Sequence, residues 1–272
     1  MVWVADDNTG DYALLSTALA AITDATSSNP YVIKIAPGIY TETAPVVLKD
    51  YVDVEGSGQD ITTINCACSS NSFDSVMSAG AITAEIRHLT INNTGGGDNS
   101  FGVYTKGVTN GSFSMDNVTA TATGGTYNYG VFNDDSSSPS MNNVTATATG
   151  GTNAGGVYNT QSSSPSMNNV TATASGTGNN FGVINNNSSP SMNNVTATAT
   201  GGGVNYGVQN DSSSPTIRNS SFTGSTNSIR NSGTSSAQVA DTMLDGQVDA
   251  GGGLACVGVY TTAFVALNGG CL

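Results

Sequence analysis

Val118-Thr-Ala-Thr-Ala-Thr123 alternates small apolar and hydroxyl side chains with a period of two, the pattern of a strand with one face turned to a core. The segment recurs inside a longer motif, Ser-Pro-Ser-Met-Asn-Asn-Val-Thr-Ala-Thr-Ala-Thr-Gly-Gly. That motif stands at Ser138–Gly151, at Ser164–Gly176 with Ser175 for the last Thr, and at Ser189–Gly202, after a shorter copy at Met115–Gly125. The anchoring hydrophobics Met115, Met141, Met167, Met192 and Ile217 are 26, 26, 25 and 25 residues apart. Nothing in the repeat has helical periodicity. A repeat of this length cannot bury its own apolar face, so the copies must stack with equivalent strands parallel, about 4.7–4.9 Å apart.

The pattern therefore predicts an all-β, single-stranded parallel β-helix with three sheets and coils of about 22–29 residues. Each coil supplies a Met strand, a Val-Thr-Ala-Thr-Ala strand and a Gly-Val strand, the last at Gly102-Val103, Gly130-Val131, Gly156-Val157, Gly182-Val183 and Gly207-Val208. An Asn column, Asn117, Asn143, Asn169, Asn194 and Asn219, separates the Met and Thr strands. A turn that short asks for left-handed backbone, which Asn, Asp and His tolerate. Inward-facing amides in this column are expected to bond from copy to copy. Ile86–Ile91 and Val239–Leu244 fit the same frame and put His88 and Asp241 in the column. The only His thus reads as a turn residue rather than a catalytic one.

The ends look different. Residues 1–30 read as a cap: Val2–Val4 pairs with the first coil, and a short helix runs from an Asp11 N-cap to about Thr23, with Leu15, Leu19 and Ile22 on one face. The β-helix spans 31–250, beginning with strands at Tyr31–Ile35, Val46–Leu48 and Tyr51–Val54 and a turn at Pro37-Gly38; 251–272 form a second cap. Counted this way the rod is about nine coils, roughly 40 Å long. With both ends covered, a monomer is expected, end-to-end or trimeric assembly being the alternatives.

Charge narrows the partners. The chain has 272 residues, 34 Gly, six Lys+Arg against 19 Asp+Glu and a net charge of −13. That balance disfavours nucleic acid and anionic membranes. No apolar run is long enough for a membrane span. Met1-Val-Trp-Val shows no signal peptide.

Ile33-Lys-Ile-Ala-Pro-Gly-Ile-Tyr-Thr-Glu42, Val52-Asp-Val-Glu-Gly-Ser-Gly58 and Thr62-Thr-Ile64 resemble the opening coils of pectinesterase-like proteins of the pectin-lyase superfamily. The resemblance implies their right-handed β-helix. In the enzymes of that group a paired-Asp, Gln and Arg site, or clustered acidic calcium ligands with a catalytic Arg or Lys, lies in the middle coils. Met115–Asn210 offers Asp116, Asp134 and Asp135 and no Lys, Arg or His. Asp134 and Asp135 read as a solvated loop before Pro139, so no catalytic residue is carried over, no cofactor or metal is called for, and the chain is expected not to be an enzyme.

Cysteines and sequons add little to this. Cys66 and Cys68, two apart on a strand, share a side and are poorly placed to bond each other, so they read as buried thiols. Cys256 and Cys271 bracket the last segment, and a bridge closing that loop of about 15 residues contributes roughly 3 kcal/mol in the chain-entropy account. A disulfide implies an extracellular or otherwise oxidising setting. Asn117, Asn143, Asn169 and Asn194 begin Asn-Val-Thr sequons, but an inward column argues against glycosylation.

Two surfaces remain as candidates. If Val118, Ala120 and Ala122 point in, then Thr119, Thr121, Thr123, Thr145, Thr147, Thr149, Thr171, Thr173, Ser175, Thr196, Thr198 and Thr200 form an outward grid. Such grids resemble the ice-binding face of β-helical antifreeze proteins; Thr is also simply a soluble outward β residue. The second surface is an aromatic stripe, Tyr104, Phe132, Tyr158 and Ile184 with Gln209, expected to face solvent on another sheet. It suits a glycan or a partner surface, or stacks as a ladder between coils. Phe101, Tyr129, Phe181 and Tyr206 form a neighbouring column whose side the pattern leaves open. The function expected is a non-catalytic extracellular structural or adhesive module, such as a surface protein, fibre or tailspike, with ice binding as the alternative and a polysaccharide lyase or esterase as the third. Its partner would be a glycan, ice or another protein surface.

Overall fold

A computed structural model describes residues 1–7, 9–68 and 75–272. Among these residues the strands form two parallel sheets, of 16 and nine strands. Together they wind a right-handed β-helix. The Met and Thr segments of each copy form one continuous strand: Phe113–Thr123, Ser140–Thr149, Ser166–Gly176 and Ser191–Gly201. Each bends at its Asn, where Asn117, Asn143, Asn169 and Asn194 have φ of 52, 52, 54 and 54°. The larger sheet is thereby folded into two faces, and the nine-stranded Gly-Val sheet is the third. His88 and Asp241 take the same backbone turn, with φ of 58° and 48°.

Register is one-to-one from copy to copy. Met115, Met141, Met167 and Met192 are partners in sequence, as are Val118, Val144, Val170 and Val195. These side chains and the alternating Ala residues have 0–1% of their surface exposed. Ala is what fits, because the Gly-Val sheet closes tightly on the Thr strands. A Cβ on Gly130 would stand 2.6 Å from the Thr147 nitrogen, and one on Gly156 2.7 Å from the Thr173 nitrogen. The glycine of each Gly-Val pair is thus set by backbone contact between two walls of the helix.

The Asn column differs from expectation in direction. Its side chains point outward, Asn169 and Asn194 being exposed, and they bond to one another at the surface: Asn194 Nδ2 donates to Asn169 Oδ1 at 2.9 Å and Asn169 donates to Asn143. The Asn-Val-Thr sequons thus stand on an outward column rather than an inward one. The inward amide ladder is a different one, at the ends of the Gly-Val strands. Asn133 donates to Asn159 at 2.8 Å, Asn159 to Asn185 at 2.9 Å, Asn185 to Asn210 at 2.8 Å and Asn210 to Asn231 at 2.7 Å. All five are fully buried. Each amide supplies one donor and one acceptor to its neighbours, so the line runs without an orphan.

At the N-terminus the helix is Leu15–Ala21, shorter than expected and not capped by Asp11. Asp11 instead accepts the Trp3 N–H at 2.9 Å and holds the first strand. The helix start is satisfied from across the coil by Glu42, which is 3% exposed: the Ser16 N–H donates to Oε1 at 3.1 Å and the Ser16 hydroxyl to Oε2 at 2.5 Å. A carboxylate meets both the unpaired N–H and the positive end of the helix there. Leu15, Leu19 and Ile22 are buried on the core side. Pro37-Gly38 leads straight into a strand, Gly38–Glu42.

Both cysteine pairs are bonded, Cys66 to Cys68 and Cys256 to Cys271. The reading of Cys66 and Cys68 as thiols is corrected by the end of the strand Thr62–Cys66. Beyond it the chain leaves the extended spacing of about 6.6–6.8 Å for two residues. The two Cα atoms are 5.1 Å apart, a separation a disulfide spans.

Candidate functional site

The Gly-Val strands carry the chemistry because their outer side does not repeat. Val103, Val131, Val157 and Val183 lie in the main core, whereas Phe101, Tyr129, Phe132 and Ile184 form a separate cluster with Tyr104, Tyr158 and Phe181 against it. The column left open by the sequence pattern thus joins the stripe on the same outer side. Gly and Val of each pair both turn inward, which places the residue before Gly and the one after Val outside together. The rings of the two columns interleave, with Phe101 to Phe132 4.9 Å, Tyr129 to Tyr158 5.1 Å and Tyr129 to Phe132 5.6 Å between centroids, and within the stripe Phe132 lies 5.0 Å from Tyr158 and 5.6 Å from Tyr104. Tyr129 lies over Gly155, where a Cβ would meet its ring at 2.7 Å.

This interleaving corrects the expectation of an open, solvent-facing stripe. Phe132 and Ile184 are only 5% and 7% exposed, while Tyr104 and Tyr158 are half-buried. What faces solvent is the edge of a packed ring layer with polar groups along one side.

Asp134 is the centre of those groups. It ends the strand Gly125–Asp134 and is 4% exposed, so the solvated-loop reading holds only for the exposed Asp135. The Tyr104 hydroxyl donates to Asp134 Oδ2 at 3.1 Å, and Gln161 Nε2 donates to Oδ1 at 2.8 Å. Lys106 is the register partner of Asp134 one coil below, and its Nζ lies 3.8 Å from Asp135 Oδ2. Burial first, then the charge of Asp134, pushes the Tyr104 phenol above its ordinary value, so it remains a donor beyond the pH at which a free phenol ionises. Beyond them Asn186 Nδ2 donates to the Tyr158 hydroxyl at 3.5 Å. Further along, Arg230 lies 5.3 Å over the Tyr206 ring with its Nε 3.4 Å from Asp249.

Sequence reasoning missed this cluster for a traceable reason. Lys106 stands nine positions before Met115, outside the best-formed repeats, and Asp134 borders the polar loop that follows its strand. Aligning Val103-Tyr-Thr-Lys106 under Val131-Phe-Asn-Asp134 would have placed a cation beneath a carboxylate.

On the Thr face the three columns are in register across four coils, with Ala120, Ala122 and their equivalents turned in. The hydroxyl residues are half-buried to exposed. The face is lapped at its lower corner, where Gln59 Nε2 reaches the Asn143 carbonyl at 3.5 Å and its own carbonyl accepts from Thr90. Gln59 there borders a polar hollow of about 360 Å³ with Asn117, Asn143, Thr145, Asn169 and Thr171.

No protein-family model and no curated protein matches the chain. Solved structures do. A pectin methylesterase from carrot superposes with a TM-score of 0.61 at 16% identity, over 98% of this chain and 86% of its own. One from Aspergillus niger does so at 0.58 and 14%, over 90% and 85%. The A-module of a mannuronan C-5 epimerase from Azotobacter vinelandii matches at 0.51 and 16%, over 95% and 81%. The chain has the pectin methylesterase fold, a parallel β-helix shared by carbohydrate-active enzymes. The expectation that it is not an enzyme is corrected accordingly: nearly its whole length is built as these enzymes are, and the premise of a middle region without placed titratable groups does not hold at Asp134. Among the described residues no helix is long and apolar enough to cross a membrane.

Proposed function

We propose that this chain binds polysaccharide across the outer side of the Gly-Val sheet and acts on it at Asp134. The observation that carries the reading is a nearly buried carboxylate set beside a ring layer and fixed by donors from two neighbouring coils, Tyr104 and Gln161. Ring edges and faces take the apolar side of a sugar with little loss of side-chain freedom. A carboxylate held on both oxygens keeps lone pairs for a sugar hydroxyl or a water, the placement that base or nucleophile chemistry needs. The superposed pectin methylesterases and the epimerase are named for reactions on polysaccharides, which supports the same reading. Two disulfides suit a secreted or cell-surface protein.

The test is a panel of soluble polysaccharides assayed for retention in affinity gels, released methanol and new reducing or unsaturated ends. Asp134→Asn should abolish turnover and weaken retention while the melting temperature changes little. Turnover or retention indifferent to that change, in a folded protein, would remove the reading. Retention without turnover by the parent chain would leave an adhesive use of the same face.

A second reading rests on the Thr face, whose hydroxyls stand in a registered grid over an Ala-lined core. Ordering of surface water by that grid would show as thermal hysteresis, lost in Thr147→Tyr and Thr173→Tyr.

A further inference from the structure

The charge on the ring face says which class of polysaccharide it takes. Resting on the polysaccharide reading above, we infer that the glycan bound there is uncharged, a neutral chain rather than a polyuronate. A polyuronate carries a carboxylate on every sugar and needs cations free to meet it. The Gly-Val strands supply two, Lys106 and Arg230, and each already faces a carboxylate, Asp135 at 3.8 Å and Asp249 at 3.4 Å. Arg230 is further engaged over Tyr206. The other cations of the chain are elsewhere: Lys34 and Arg87 pair with Glu55, Lys49 bonds the Ile22 carbonyl, and Arg218 is on a Met strand.

Asp134 and Asp211 remain on the face as further negative charges, in a chain whose net charge is −13. An anionic sugar meets repulsion there at the coils that carry Asp134 and Asp211. What the face does offer is neutral recognition chemistry. Gln161, Asn186 and Asn187 present carboxamides beside the Tyr104 and Tyr158 hydroxyls, and Asp134 accepts. Carboxamides both donate and accept, matching sugar hydroxyls, which do the same. Because the coils repeat at about 4.8 Å, a polysaccharide lying along the axis meets such a group again and again.

The experiment uses the full chain and four probes: a soluble β-glucan, a galactomannan, fully methyl-esterified polygalacturonate and its de-esterified sodium salt. Retention is measured at about 20 and about 300 mM salt, across which the screening length falls from roughly 20 to roughly 6 Å. The expected result is retention of one or more uncharged probes with little salt dependence, and at least about 10-fold weaker retention of the sodium salt that improves as salt screens the repulsion. Asp135→Asn, which frees Lys106, should raise retention of the sodium salt and leave the neutral probe unchanged. Tightest binding of the sodium salt, falling with added salt, would overturn this inference and leave the polysaccharide reading standing. No retention of any probe by folded protein would overturn both.

Discussion

The two outer surfaces of this β-helix come from the same duplicated unit and have diverged in opposite ways. On the Thr strands, Thr119, Thr145, Thr171 and Thr196 are register partners, and across these four coils the outward residues change only at Ser175, from one hydroxyl side chain to another. On the Gly-Val strands the equivalent walk is Tyr104, Phe132, Tyr158, Ile184, Gln209 and Arg230. Both strands keep their inward residues, Ala on one and Val on the other, because those pack the shared core. Outward positions are free of that constraint, and only one of the two sheets has varied them. The surface that looks most ordered is thus the chemically uniform one, and the placed carboxylate, cation and carboxamides are found where the repeat breaks.

The largest effect should come from the core contact that both surfaces depend on. Gly156→Val forces a side chain into the Thr173 nitrogen and the Gly182 carbonyl, both 2.7 Å from a built Cβ. Neither is a flexible side chain that can yield, so the cost is at least about 3 kcal/mol, the upper end for overpacking. Urea titration should show a large fall in midpoint or no cooperative transition. A near-native midpoint would mean the two walls can part.

Next come the two amide ladders, one buried at the ends of extended strands and one exposed on left-handed turns. Asn159→Ala orphans the Asn133 donor and the Asn185 acceptor in the interior, at roughly 1–3 kcal/mol for each group. Asn169→Ala breaks the same kind of link between Asn143 and Asn194 at the surface, where water replaces it, for well under about 1 kcal/mol apart from the cost of its left-handed φ. Equal losses would show that the outer ladder is as shielded as the inner one.

Much of this was legible beforehand, and what was not has a physical cause. Period, strand direction, inward Ala and Val, the left-handed column and the Cys256–Cys271 bridge follow from rules local to a strand or turn. The direction of the Asn side chains does not, because left-handed backbone is compatible with an amide on either side of the wall. Asn133 and its equivalents gave no separate signal, lying one residue after the stripe in a segment read for its rings. Asp134 was hidden for a related reason: strand and loop differ there by one residue, and burial at that boundary depends on Tyr104 and Gln161 from other coils.

The ring face should respond less in stability and more in binding. Phe132→Ala removes a side chain that touches Phe101, Tyr104, Tyr129 and Tyr158, and should cost about 3 kcal/mol or somewhat less, since the layer can relax toward solvent. Polysaccharide retention should fall with it. Thr173→Val on the opposite wall, isosteric and partly exposed, should change stability by less than about 0.5 kcal/mol and leave retention unchanged.

The smallest effect is one of pH, and it separates the two faces without altering the fold. The Tyr104 phenol is raised above its ordinary 10.0, first by burial and then by Asp134. A raised acid holds its proton in the folded state after the unfolded chain has lost it. The stabilisation is therefore fully present below about pH 10 and is lost as pH climbs from there toward the folded value. Tyr129 is raised by burial in the same layer and Tyr40 by burial in the N-terminal coils, so the ring face supplies a part of the alkaline loss that its own variants identify. Tyr104→Phe should shallow the fall in melting temperature above about pH 10, and Asp134→Asn should do so in part, by removing the charge that opposes ionisation. Thr173→Val should leave the alkaline limb as it was. If Tyr104→Phe left it unchanged too, the hydroxyl would not be held against Asp134 in solution, and the polar centre of the ring face would lose one of its two fixed donors.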